Sequence, residues 1–233
     1  MRWIACLAAC LISASALAAT LQVSPVRITI SADGKAGVVR LHNQSDVPTL
    51  VQVEALVWNE TADLSQVATT SDILAVPPVF EIAAGAEQLI RLALRRPLTS
   101  GTEQAYRLLI TEVPRAVGDG VEGVSFALRL NLPVFVTPDG ALPQPAWSLQ
   151  RDAGGAKLTL DNQGNAHVRV RSIALFEDGG AQPVFVSDDG GYVLAGDERS
   201  WQLDLGRLKA GASLTVKAET NLGDLEAPVD IRG

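Results

Sequence analysis

The sequence predicts an all-β protein made of two consecutive sandwich domains. Three observations carry this. Short alternating or wholly apolar runs, separated by turn clusters, fill most of the chain. No segment sustains a helical apolar period. The stretch Thr137-Pro138-Asp139-Gly140-Ala141-Leu142-Pro143-Gln144-Pro145 breaks the pattern and reads as a hinge or linker. At 233 residues the chain has room for one large domain or two small ones. With 47% hydrophobic and 19% charged residues it can bury a core, and wholesale disorder is not expected.

In chain order, Arg2 precedes an apolar and small-residue run from Trp3 to Leu17, and Ala16-Leu17-Ala18 has the small-x-small form of a cleavage site. Residues 1–18 are read as a secretory signal peptide, too short and wrongly flanked for a transmembrane helix. Leu7-Ala8-Ala9-Cys10 resembles a bacterial lipidation box, but the apolar stretch before it is short for that role. Cleavage removes Arg2, Cys6 and Cys10, taking the net charge from −7 to −8 and leaving no cysteine. An oxidising compartment without disulfides leaves stability to burial and hydrogen bonding.

The first strand set, residues 19–138, is expected over Leu21–Ile30, Gly37–His42, Thr49–Trp58, Val79–Ile82, Gln88–Leu94, Ala105–Val113 and Val124–Val136. Ser31-Ala32-Asp33-Gly34 and Asn43-Gln44-Ser45-Asp46 supply turns. After the break at 139–145, the second set, residues 146–233, is expected over Trp147–Gln150, Lys157–Leu160, His167–Phe176, Pro183–Val186, Trp201–Leu205 and Ser213–Ala218. No internal repeat is evident.

The acidic balance, Lys+Arg 19 against Asp+Glu 26, argues against nucleic-acid binding through overall charge. His42 and His167 are the only imidazoles, and neither accompanies a nucleophile elbow. A phosphate loop, a His-Glu-x-x-His motif and paired cysteines are absent from the sequence. Asp188 and Asp189 sit in a Gly-rich stretch and read as a solvated turn. No catalytic residue, metal or cofactor is assigned. In the Val124–Val136 run, Val124, Phe126, Leu128, Leu130 and Leu132 share one face. The pattern suits an ordinary half-buried strand. It also suits an edge strand that gives its apolar row to a partner by strand addition, and Pro133 favours an edge or a bulge.

Several segments occur in a telling order: Ser24-Pro25-Val26-Arg27, Ala75-Val76-Pro77-Pro78-Val79, Leu89-Ile90-Arg91-Leu92, Tyr106-Arg107-Leu108-Leu109-Ile110-Thr111-Glu112-Val113-Pro114 and Ala127-Leu128-Arg129-Leu130-Asn131-Leu132-Pro133-Val134-Phe135. Weaker matches follow at Leu158-Thr159-Leu160-Asp161-Asn162 and Thr220-Asn221-Leu222-Gly223-Asp224. Together they resemble the PapD-like periplasmic pilus chaperones, and two of them look most like the archaic branch. The resemblance implies two immunoglobulin-like sandwiches in an L-shaped arrangement. It implies a pilin or fimbrial subunit lacking its last strand as partner, an outer-membrane usher as the next recipient, and a periplasmic location without membrane embedding. The last strand of the first domain, with Val124, Phe126, Leu128, Leu130 and Leu132, would fill the subunit groove.

Arg27 falls on the family's cleft arginine, which holds the subunit's terminal carboxylate. The family's second cleft cation, usually a lysine, is replaced here by Pro133. Arg107 is expected to take its place: its strand should pair antiparallel with the donor strand, bringing it level with that strand's end, whereas Arg129 lies four residues away. Arg91, Glu103 and Asp224 fall on the family's interdomain ion pairs, and Val76-Pro77 is a candidate cis bond. The alternatives are a secreted two-domain immunoglobulin-like adhesion or scaffold module, a hydrolase using carboxylates alone, and a fibre subunit. Two complete-looking domains with a preformed donor strand argue against the last.

Overall fold

The computed structural model describes residues 21–32, 36–58, 67–98, 100–114, 127–152, 155–204 and 213–232. The signal-peptide assignment, Val124 and Phe126 fall outside the described residues. In chain order the first sandwich has β1 (Leu21–Ser24), β2 (Ile28–Ser31), β3 (Gly37–Asn43), β4 (Thr49–Val57), β5 (Ile73–Val76), β6 (Val79–Ile82), β7 (Glu87–Leu94), β8 (Gln104–Val113) and β9 (Arg129–Thr137). Alternation sets its layers. In β3, Val39 and Leu41 are fully buried while Val38 and Arg40 face out. One sheet has the order β1-β3-β7-β5 and the other β2-β9-β8-β4-β6. Ile30, Leu41, Ile90, Leu92, Leu108 and Ile110 fill the space between them.

The predicted strand Leu21–Ile30 is two strands in opposite sheets. Pro25 cannot donate to a ladder, and there the chain leaves β3 and joins β9. A second sheet change falls at Pro77-Pro78, where β5 gives way to β6. The Ser24–Pro25 and Val76–Pro77 bonds are both cis. The predicted strand Val124–Val136 starts at Arg129 among the described residues.

The second sandwich has β10 (Pro145–Asp152), β11 (Gly155–Asn162), β12 (Val168–Glu177), β13 (Phe185–Ser187), β14 (Gly191–Val193), β15 (Glu198–Leu203), β16 (Leu214–Thr220), β17 (Gly223–Pro228) and β18 (Asp230–Arg232). Its sheets are β15-β11-β10-β18 and β13-β12-β16-β17, with β14 also on β12. A separate core around Leu149, Leu158, Leu160, Val168, Leu175 and Trp201 holds them together.

Each sandwich is pinned at a turn by one fully buried asparagine. Asn43 donates its side-chain amide to the carbonyls of Val47, Ile82 and Ala83 and accepts from the Ser45 N–H. Asn162 donates to Ala166, Val193 and Leu194 and accepts from the N–H groups of Gly164 and Gln144. Removing a partner of a buried polar group costs ~1–3 kcal/mol per orphan. Asn43→Ala and Asn162→Ala should each lower stability by at least about 2 kcal/mol, read as a drop in urea midpoint. The aspartate variants should be worse, because a carboxylate would face carbonyl oxygens.

Candidate functional site

β9 pairs with β8 from Arg129 to Val136. On its other side β2 joins only from Val134 to Thr137. Among the described residues nothing pairs with the outer edge between Arg129 and Pro133. The apolar row of this strand runs from the edge into the sandwich. Leu128 and Leu130 are half-buried against the core, while Leu132, Val134 and Val136 are inside it. Leu132, expected in the subunit-facing row, is only 6% exposed and belongs to the protein's own core.

On the outer face, Pro133 is the register partner of Arg107. Arg27 immediately precedes Ile28, whose partner is Val134, so its backbone is level with Pro133 on the other flank. The structure therefore brings Arg27, Pro133 and Arg107 to one level across the sheet. Arg27 is exposed. The Arg107 guanidinium lies 3.9 Å from the centre of the Trp58 ring, a contact worth ~0.5–2 kcal/mol that restrains a long side chain. Arg129 is exposed four residues up the strand.

At the base of this edge the two sandwiches meet through Glu103, whose side chain is 3% exposed. Its Oε1 accepts from the His167 main-chain N–H at 2.9 Å and lies 2.6 Å from His167 Nδ1. Its Oε2 accepts from Thr137 Oγ1 at 2.7 Å. The His167 ring stacks on Phe135 with centroids 3.7 Å apart, and Tyr192 packs beside both. Glu103 is thus interdomain, but its side-chain partners are His167 and Thr137 rather than the expected Arg91 and Asp224. Arg91 and Asp224 are exposed on β7 and β17, and no ion pair among the described residues joins either to Glu103. The sequence reading weighed His167 only as a base and missed Trp58, Phe135 and Tyr192. An aromatic lying between two domains has no signature along the chain.

The linker is held too. Main-chain bonds run from Gln163 to Gln144 and from Asn165 to Leu142, and Asn165 reaches the Gly101 carbonyl of the first sandwich at 2.8 Å. Gly164 has no room for a side chain, because a Cβ there would collide with the backbone of residues 142–144.

The family described as pili and flagellar-assembly chaperone, PapD N-terminal domain, matches residues 20–142. The chain belongs to this chaperone family. The probable fimbrial chaperone YadV of Escherichia coli is 28% identical over 196 residues, 78% of each chain. Among the solved structures that share the fold are two complexes. One is the CsuC–CsuE chaperone–tip adhesion subunit pre-assembly complex from archaic chaperone-usher Csu pili of Acinetobacter baumannii. It has TM-score 0.64 and 24% identity and covers 92% of this chain and 100% of that one. The other is the Salmonella enterica SafA pilin in complex with the SafB chaperone, with TM-score 0.63 and 17% identity, covering 89% and 95%.

The junction of this PapD-type chaperone carries a pH signature. Burial pushes the Glu103 carboxyl up, but hydrogen bonds from His167 and Thr137 and the electrostatic pull of His167 outweigh it, and its pKa lies below the ordinary value. A depressed carboxyl pKa contributes stability that is present above the unfolded value of ~4.3 and is lost as pH falls through the folded one. Glu103→Gln should lower the urea midpoint at neutral pH. It should also flatten the loss of stability below about pH 4.3 relative to the native protein. Parallel acid limbs for the two proteins would remove Glu103 from the junction's energetics.

Proposed function

We propose that the protein is a periplasmic chaperone that binds pilin subunits by donor-strand complementation and passes them to an outer-membrane usher, in the manner of the archaic branch. The observation that carries this is the unpaired outer edge of β9, backed by the half-buried Leu128 and Leu130 and flanked at its inner end by two arginines. An incomplete sandwich exposes both an apolar groove and an unpaired strand edge, which together invite aggregation. A strand with alternating apolar side chains satisfies both at once. In this reading Val124, Phe126, Leu128 and Leu130 enter the groove, with Leu132 anchoring the row in the chaperone's own core. Burying each large side chain gains ~1.5–3 kcal/mol before association costs, enough for a firm hold without ATP or a catalytic group.

Arg27 and Arg107, on either flank of Pro133, take the subunit's terminal carboxylate, since planar guanidinium groups match it with charge-assisted hydrogen bonds. The archaic assignment rests on the Tyr106–Leu109 and Leu132–Phe135 segments, and the periplasmic one on the signal peptide. Arg91 and Asp224 are exposed and form no ion pair with Glu103 among the described residues.

Subunit recovery from periplasm tests the reading. Leu128→Asp and Leu130→Asp should abolish capture, because an unpaired charge would enter an apolar groove. Asn131→Asp, on the opposite face, should capture nearly as well as the native protein. Arg27→Ala and Arg107→Ala should lose the subunit while remaining folded, and Arg129→Ala should not. Equal recovery from the three strand variants would exclude β9 as the donor.

A further inference from the structure

The outer edge of β9 contains a boundary set by hydrogen-bond parity. Glu112 donates its main-chain N–H to the Leu128 carbonyl at 2.9 Å. From there the β8–β9 register runs without a shift, Thr111↔Arg129 to Gln104↔Val136. Antiparallel ladders alternate bonded and non-bonded pairs. Even-numbered residues of β9 therefore bond to β8, and the main-chain groups of Arg129, Asn131, Pro133, Phe135 and Thr137 point to the other edge. The Ala32 N–H, donating to the Thr137 carbonyl at 3.1 Å, shows the same parity from the other side.

Phe135 and Thr137 face β2, while Arg129 and Asn131 each present an N–H and a C=O to the open edge. Pro133 stands between the two groups, with a carbonyl and no N–H. In the parallel ladder with β2, an N–H at position 133 would face the carbonyl of Val26. With no donor there, β2 begins at Ile28, Val26 is 64% exposed, and Arg27 projects into solvent.

We propose that Pro133 is a positioning residue that divides this edge between the chain itself and a partner strand. The proposal rests on the reading of β9 as a docking edge. A residue with an N–H at 133 lets β2 start two residues earlier. Val26 and Arg27 are then drawn into the sheet, and Arg27 is no longer an exposed arm at the end of the open segment. The extension stops there. Ser24, the next residue whose main chain would face β9, is already paired with Arg40 in the other sheet.

The test uses the full mature chain with Pro133→Ala and Pro133→Val, the second placing a residue of high strand propensity at that position. In the partner-free variants the new amide at 133 should exchange with deuterium at least about ten-fold more slowly than those of Arg129 and Asn131. The probe is a short synthetic peptide with alternating valine and phenylalanine, used with a free C-terminal carboxylate and in amidated form. Both variants should bind the free-acid peptide several-fold more weakly than the native protein and prefer it less strongly over the amide. A fast-exchanging amide at 133, or peptide binding that is unchanged or tighter, overturns the proposal. If the native protein binds no such peptide, the donor-strand reading fails, and the exchange measurement still decides the boundary.

Discussion

Main-chain hydrogen-bonding capacity on the outer edge of β9 is the constraint on which the rest of the first domain turns. A buried strand needs partners on both sides, and among the described residues β9 has two neighbours only from Val134 onward. The same strand therefore serves as core at one end and as an exposed edge at the other. Its apolar row follows the same division, from the buried Val136 to the half-buried Leu128. The sheet change at Pro25 makes this division necessary, because it limits how much of the first segment can cover β9.

The junction below that edge combines short-range polar contacts with a small cluster of packed rings. Glu103 gathers donors from both sandwiches, and Phe135, on the outer face of β9, supplies the surface on which His167 stacks. The strand that carries the open edge is thereby fixed to the second sandwich. Position and orientation of the edge then depend on a handful of groups between Glu103 and Tyr192.

The all-β class and most strands were legible because period-two alternation and turn residues are local signals. The joined strand Leu21–Ile30 was misread because a proline in an apolar run does not announce that the chain will change sheets. Strands β5, β14, β17 and β18 went unread; all but β17 are only three or four residues long, and what defines the four is a partner strand rather than a pattern of their own. At the site, the edge was visible in the alternation around Leu128 and Leu130. The level of Arg107 beside Pro133 followed from expected strand pairing, whereas Arg27 was picked out by the family resemblance and not by pairing. Which polar side chains meet between the sandwiches was not legible, since Glu103 and His167 are 64 residues apart in sequence and nothing local to either names the other.

The buried asparagine of the second sandwich differs from its counterpart in one respect. Asn43 bonds only within its own sandwich, whereas Asn162 also accepts from the linker at Gln144. Three residues on, Asn165 reaches Gly101 and accepts from the Glu103 N–H. The turn that closes the second sandwich is thus the latch that ties it to the first. Melting that turn must release the linker and the junction together, because both hang on its bonds to Gln144, Gly101 and Glu103. A hinge of this kind resists bending until a domain itself begins to unfold.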